Sequence, residues 1–407
     1  MGVKHWAAGE RGADGTARMG PWRFVIWFGT VSLLADFVYE GARSITGPLL
    51  ASLGASSLVV GVVTGAGEAA ALGLRLVSGP LADRTHRFWG LAIGGYALTV
   101  VSVPLLGVAG VLWAACALVI AERVGKAVRS PAKDTLLSHA TAATGRGRGF
   151  AVHEAMDQIG AIAGPLLVAS VLALTGDDYG PALGVLAGPG IAVLLLLFWL
   201  RARVPDPEAY EREVTASAPA APGARGERLP RAFWTYAAFT AATTIGFATF
   251  GVLSYHLVQR QLLTAAWVPV LYAAAMAVDA IAALGTGWLY DRYGPRVLIA
   301  LPVLTAGVVA LAFSDTVAVA VAGSLVWGAA MGIQESTLRA TVADLVPSGR
   351  RATAYGLFAG VVGAASLAGG ALTGGLYGYS IPVLITVVIA IQVLAVVLLA
   401  VIRVDRR

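Results

Sequence analysis

Charge is what this chain has least of. Asp, Glu, Lys and Arg make up 13% of its 407 residues, about half of the roughly 25% carried by soluble globular domains. That shortage excludes an ordinary water-soluble enzyme. Disorder is excluded as well, because it needs low hydrophobicity with high charge, and 57% of the residues are hydrophobic. Cysteine is nearly absent: the lone Cys116 leaves no intramolecular disulfide framework. Five histidines and that cysteine offer no zinc-ligand spacing, so no metal site is expected. The G-x-x-x-x-G-K-[ST] run of a phosphate-binding loop is missing, which excludes ATP as the energy source by that route. No nucleophile-elbow motif supports hydrolysis. No cofactor is implied. The net charge of +6 belongs to no soluble basic domain that would grip nucleic acid.

What is present is length in apolar stretches. A spanning helix needs roughly 20 mostly apolar residues, and such stretches begin near Trp22, Ser57, Trp89, Gly110, Gly149, Pro181, Ala232, Ala266, Arg296, Thr316, Ala352 and Ile381. They predict an all-α integral membrane protein with twelve transmembrane helices. Fifty glycines suit closely packed membrane helices. The first twenty residues are polar and basic and precede no short apolar core with a small-residue cleavage site, so no signal peptide is expected there. Alternate loops separate by charge. One set carries Arg84, Arg87, Lys133, Arg146, Arg148, Arg292, Arg296, Arg350 and Arg351, and the tail adds Arg403, Arg406 and Arg407. The other set, at 53–57, 175–180 and 314–316, has no Lys or Arg, and Arg260 is the exception on that side. The positive-inside rule therefore predicts both termini in the cytoplasm of a multi-pass plasma-membrane protein. A polar stretch from Arg201 to Arg231, with an Ala/Pro/Gly tract, reads as a linker. The expected division is a cytoplasmic tail 1–21, a six-helix bundle 22–202, a linker 203–231, a second six-helix bundle 232–403 and a tail 404–407.

An internal repeat supports that division. Gly79-Pro80-Leu81-Ala82-Asp83-Arg84 follows the second span, and Gly287-Trp288-Leu289-Tyr290-Asp291-Arg292 follows the eighth; both read G-x-L-x-D-R. Arg146 and Gly164 are echoed by Arg351 and Gly369 at a constant offset of 205. Two matches in register with the spans indicate a duplicated bundle with pseudo-two-fold symmetry. These features resemble the major facilitator superfamily of secondary transporters, over nearly the whole chain. G-x-L-x-D-R is similar to that family's motif A, with His86 standing where the motif usually has Gly. Gly160-x-x-x-Gly164-Pro165 resembles the antiporter motif of its drug/proton exporter branches, and Glu122, Arg123 and Gly125 resemble a signature in the fourth helix there. The resemblance implies two bundles rocking about a central site. It also implies that Gly79, Asp83, Arg84, Arg87, Gly287, Asp291 and Arg292 form gate elements.

The residues carry their own reading. Gly160 and Gly164 are spaced for close approach of another helix, and Pro165 removes a backbone donor and bends its helix. Arg84 and Arg87 can meet acids or lipid phosphates. Ionisable residues at the bilayer midplane cost roughly 2.5–3.5 kcal/mol on insertion scales and are kept when paired, hydrated or used. The first span carries Asp36, Glu40 and Arg43 on one face, with Tyr39 beside it. The fourth carries Glu122, Lys126 and Arg129 at the same spacing, with Arg123 one step round, and the fifth carries His153, Glu154, Asp157 and Gln158. Glu68 and Arg75 lie on the second span, and the second half adds His256, Asp279, Glu335 and Arg339.

The expected function is alternating-access export of a small organic molecule in exchange for protons, by a monomer in contact with membrane lipids. Asp36, Glu40, Glu122, Glu154 and Asp157 are the expected proton-coupling acids, with Asp157 first, aided by Glu40. Tyr39, Arg43, Lys126, Arg129, Gln158, Gln334 and Glu335 are the expected walls of the substrate cavity, with Trp267, Tyr272 and Trp327 adding aromatic surface. A proton-coupled importer of a polar metabolite and an ion or metal exporter are the alternatives, and transport direction separates importer from exporter.

Overall fold

Apolar stretches fold into helix here because a backbone that leaves water must satisfy its N–H and C=O groups within the segment. The computed structural model describes residues 19–215, 229–346 and 350–401. Expectations about the tail through Arg18, the linker at 216–228 and the tail beyond 401 fall outside the described residues, as do those about the side chains of Arg146, Arg339 and Arg351. All regular structure among the described residues is helical. The first half comprises α1 (Pro21–Ser52), α2 (Ser57–Gly73), α3 (Arg75–Thr85), α4 (Phe88–Gly107), α5 (Leu112–Thr144), α6 (Arg146–Thr175), α7 (Tyr179–Gly184) and α8 (Ala187–Arg203). A short α9 (Glu208–Thr215) opens the linker. The second half comprises α10 (Arg231–Gly246), α11 (Phe250–Gln259), α12 (Trp267–Tyr293), a 3-10 turn (Gly294–Ile299) leading into α13 (Ala300–Ala312), α14 (Val317–Leu345), α15 (Arg351–Tyr379) and α16 (Ile381–Val401). With α2–α3, α7–α8 and α10–α11 each taken as one span, and α9 set aside, the helices make twelve spans.

Among the described residues, length and apolarity alone pick out ten spanning stretches. One of these, Trp267–Ala312, contains two spans, and the remaining span is α5, whose charged residues fail an apolarity test. α5 also runs on past the expected membrane edge, so Lys133, expected in a loop, is helical.

Glycines set the helix pairs. A Cβ at Gly160 would lie 3.0 Å from the Phe37 backbone nitrogen, and one at Gly164 would lie 2.9 Å from Phe37 Cα, so these residues seat α6 against α1. Gly369 meets the backbone of Thr244 and Ile245 in the same way, seating α15 against α10. The first span against the fifth and the seventh against the eleventh are equivalent pairs of a duplicated bundle. Across the halves α2 packs on α15, where Gly61 and Gly370 face each other, and α12 packs on α6.

The core reveals the molecule's state. At the end opposite the termini a single apolar cluster runs through both halves, joining Ile45, Leu49 and Leu186 to Phe250, Tyr272 and Trp327. At the end bearing the termini the cores are separate. Phe24, Phe28, Trp89 and Tyr210 belong to the first half, and Phe233, Tyr236, Phe239 and Phe358 to the second. Hydrogen bonds between the halves follow suit: Ser57 Oγ donates to Gly374 O at 2.8 Å, the Thr64 and Thr249 hydroxyls pair at 2.8 Å, and Ala266 N donates to Asp177 Oδ1 at 3.0 Å. The far end is closed by contacts between the halves, while the terminal end keeps two independent cores.

Candidate functional site

A cavity of about 120 Å³ lies between the halves. Asp36, Glu40 and Arg43 of α1, Lys126 of α5, and Glu154, Asp157, Gln158 and Ala161 of α6 form one side; Met276 and Asp279 of α12 with Met331 and Glu335 of α14 form the other. The close seating of α1 against α6 brings the first side together, because Gly160 and Gly164 let the acidic faces of both helices share one wall. Gly328 and Gly332 do the same for the second. They press α14 onto the backbone of Ala275 and Asp279, and Glu335 follows one turn after Gly332.

Behind the first wall runs a network of charges. Arg43 lies 3.5 Å from Glu40 and 3.1 Å from Glu68. Arg123 shares Glu68 at 3.1 Å and meets Glu122 at 3.3 Å. Arg129 donates to Thr99 at 3.1 Å, stacks on the Tyr96 ring at 4.5 Å and reaches Asp36 at 3.8 Å. Lys133 and His153 both face Asp157, at 3.5 and 3.4 Å, and His153 Nε2 pairs with Ser32 Oγ at 2.8 Å. Buried ion pairs of this kind offset much of each other's desolvation when their geometry is good. Lys126 is different: its ammonium sits 3.8 Å from the centroid of the Tyr39 ring, which also carries Arg123 at 4.6 Å. No carboxylate lies within salt-bridge distance of Lys126 among the described residues. One contact crosses the middle of the cavity wall: the Tyr272 hydroxyl donates to Glu40 Oε2.

The sequence-expected residues therefore separate. Asp36, Glu40, Glu154, Asp157, Arg43, Lys126, Gln158 and Glu335 line the cavity. Tyr39, Glu122 and Arg129 stand behind the wall and brace it. Gln334 does not line it, and its Nε2 is buried without a partner. The expected aromatic contribution is corrected. Trp267 is exposed at the start of α12, and Trp327 is buried in the core with its indole nitrogen donating to Ala248 O at 2.9 Å. Tyr272 reaches the site through Glu40. His256 pairs with Tyr377 at 3.0 Å and the Ser314 carbonyl at 3.1 Å, away from the cavity. Asp83, Arg84, Arg87, Asp291 and Arg292 lie exposed at the terminal end. Arg292 stacks on Trp288 and Tyr293, and neither Asp83 nor Asp291 has an ion-pair partner among the described residues. Gly79 and Gly287 lie inside α3 and α12, with nothing within 4 Å of an added Cβ. Ala161, Met276, Asp279 and Met331 also line the cavity and were not among the expected site residues; Asp279 is the ionisable one, in the middle of a helix whose other charges, Asp291 and Arg292, lie at its terminal end. Its buried charge was the signal that could have found it. Among the described residues no group of His, Cys, Asp and Glu is arranged to hold a metal ion.

Twelve spans in two equivalent halves, enclosing a polar cavity at their seam, define a membrane transporter rather than an enzyme. A statistical model of the Major Facilitator Superfamily matches residues 29–370 and 258–407, and the chain belongs to that family. It is 66% identical over 386 residues to an uncharacterised protein of Mycobacterium tuberculosis (strain ATCC 25618 / H37Rv), covering 95% of this chain and 94% of the relative. It is 25% identical over 368 residues to an uncharacterised MFS-type transporter of Methanocaldococcus jannaschii, covering 88% and 89%. Among solved structures the peptide transporter POT in complex with sulfate superposes with a TM-score of 0.72 at 14% identity, covering 93% of each chain. The nucleoside transporter NupG superposes with a TM-score of 0.68 at 15% identity, covering 93% and 98%. At such identities the likeness is one of fold.

Proposed function

We propose that the chain is a proton-coupled exporter that moves a small organic molecule across the plasma membrane by alternating access. The observation that carries this reading is the cavity itself: titratable carboxylates from both halves face one space between two bundles that are joined at one end and separate at the other. Ionisable residues within membrane spans are kept when they are paired, hydrated or used. Asp157, aided by Glu40, carries the exchanged proton, and Asp36, Glu122 and Glu154 set the field around it. Asp157 faces Lys133 and His153 through Oδ2 while its Oδ1 has no partner, so a shift of Lys133 on rocking changes its readiness to ionise. Substrate contacts Arg43, Lys126, Gln158 and Glu335, with Tyr39, Arg129 and Gln334 behind them. The duplicated G-x-L-x-D-R segments act as gates at the terminal end. Excess Arg in that end's loops supports a cytoplasmic position for both termini. One chain supplies both walls of the cavity, which supports action as a monomer. The motif Gly160-x-x-x-Gly164-Pro165, seated against α1, supports export over import.

Inverted vesicles test this. With an acid lumen, substrate added outside should enter and proton efflux should raise the luminal pH, and a protonophore should abolish both. A panel of small organic compounds screened by luminal pH dye should yield at least one such compound only in vesicles that contain the chain. Accumulation that instead needs an alkaline lumen would mean that proton and substrate move together, which is import in a cell whose exterior is the acid side, and would overturn the exporter reading.

A further inference from the structure

The charges around the cavity do not cancel: Glu154 of the first half, which is exposed, and Asp279 and Glu335 of the second are left without an ion-pair partner among the described residues, and of these only Asp279 is buried. In the first half Asp36, Glu40, Glu68, Glu122 and Asp157 each have an Arg or Lys within 3.8 Å. Asp279 and Glu335 have no cation within salt-bridge distance among the described residues. Six carboxylates line the cavity against two cations, Arg43 and Lys126. Arg43 is already held by Glu40 and Glu68, and Lys126 is held over the Tyr39 ring.

A cluster of acids alone would say little. Asp279, however, is 2% exposed, its Oδ1 has no hydrogen-bond partner, and it lines the cavity. An unpaired carboxylate with so little water around it is costly, and this one is fixed in place because Gly332 holds α14 against its own backbone carbonyl. What it lacks is a cation delivered through the cavity. Beside it the wall is apolar and soft: Met276 lies one turn before Asp279 on α12, and Met331 one turn before Glu335 on α14. Thioether side chains adapt to apolar bodies of varied shape. The donors are two carboxylates without a third His, Cys or acid arranged as a metal site, which suits an ammonium better than a divalent metal.

We propose that the transported molecule is a small hydrophobic amine whose ammonium binds between Asp279 and Glu335 while its apolar body rests on Met276 and Met331. This rests on the exporter reading and narrows its substrate class.

The test uses the purified full-length protein in detergent and three probes of one shape: 2-phenylethylamine, 3-phenylpropanoate and 2-phenylethanol. Only the amine should raise the unfolding temperature saturably, since a ligand of the folded state stabilises it by mass action. Its affinity should fall at least about tenfold in Asp279→Asn and in Glu335→Gln, as expected from losing about 1.4 kcal/mol or more of interaction. It should be unchanged in Arg260→Gln, whose side chain forms an exposed pair with Asp315 and does not line the cavity. Stabilisation by the propanoate or the alcohol to the same extent, no amine-specific shift, or equal amine binding by both carboxylate variants would overturn the proposal. A second measurement needs no variant: carbodiimide labelling of Asp279 and Glu335 in the wild-type protein, read by mass spectrometry, should be slowed by the amine and not by the propanoate. Equal labelling with and without amine also overturns it. The two readings fail separately. Amine binding without gradient-driven movement removes the coupling and leaves the site, whereas gradient-driven movement of a neutral or anionic compound alone removes the site and leaves the coupling.

Discussion

His86 shows how much one residue reports. It caps α3 with φ of 51°, the left-handed region that favours glycine. Aligning Asp83 with Asp291 places His86 opposite Gly294, which caps α12 with φ of 65°. Both copies of the repeat thus turn out of their helix through a positive φ, and only the second uses the residue made for it. His86→Gly should therefore stabilise the protein. Relief of left-handed strain of about 1–2 kcal/mol exceeds the extra chain entropy of glycine, about 0.5–1 kcal/mol. The lost His86–Glu208 pair, 3.7 Å long and solvent-exposed, contributes little. Thermal unfolding in detergent should show a small rise, with His86→Val showing a fall. Asp157 gives a functional counterpart. Asp157→Asn keeps the shape but removes the titratable group between Lys133 and His153. It should abolish gradient-driven accumulation while leaving substrate exchange; a stable variant that stays fully pH-coupled would show that the residue is only a brace. Much of this site was legible from spacing, because Asp36, Glu40 and Arg43 share one helix face by arithmetic alone. The rest was not. Lys133 looked like a loop residue until α5 proved longer than its apolar part. The Tyr272–Glu40 contact joins residues 232 apart in sequence, and the placing of Asp279 and Glu335 on one cavity depends on how two separate helices meet.

At the scale of the helix, glycines differ in what surrounds them. Gly164 and Gly79 both belong to motifs, yet a Cβ at Gly164 would fall 2.8 Å from the Phe37 carbonyl carbon, while one at Gly79 meets nothing within 4 Å. Gly164→Ala should force α6 away from α1 and cost about 1–3 kcal/mol, as overpacking does. Gly79→Ala should be neutral or stabilise by up to about 1 kcal/mol, because glycine inside a helix is entropically costly. Unfolding of the two variants in one detergent checks both signs; equal effects would mean that the α1–α6 seam yields more easily than its backbone contact implies. Helix number and position were readable because length in apolar residues is dictated by bilayer thickness. What periodicity could not supply was the partner of each small-residue stripe. A stripe spaced for close approach states that a helix comes near, and only the fold identifies α1 for Gly160 and Gly164, and α12 for Gly328 and Gly332.

At the scale of the molecule, the two ends behave differently, and alternating access requires that they exchange roles. The far end is held by one apolar cluster common to both halves and by small contacts that leave no gap: Gly61 against Gly370, Ser57 on Gly374, and Thr64 on Thr249. These contacts are hydroxyls and bare backbone rather than long side chains, so they can part and close again without rebuilding large rotamers. In the opposite state they must separate. The hydroxyl pair of Thr64 and Thr249, 2.8 Å apart, is placed for a covalent lock. Thr249 sits at the break between α10 and α11, with its hydroxyl capping Val252 N at 3.4 Å, so a lock there ties that break directly to α2. In a background with Cys116→Ser, which removes the sole native cysteine, Thr64→Cys with Thr249→Cys should form a disulfide on mild oxidation, since the two side chains point at each other and meet at their γ atoms. The oxidised protein should bind ligand at the cavity as before, because binding needs only the state with the far end closed. It should transport nothing, and reduction should restore transport. Each single-cysteine variant should remain active under oxidation, which separates the lock from damage to either residue. Transport at the rate of the reduced protein while the bond is intact would mean that this end need not open, and rocking about the central cavity would then have to be abandoned as the mechanism.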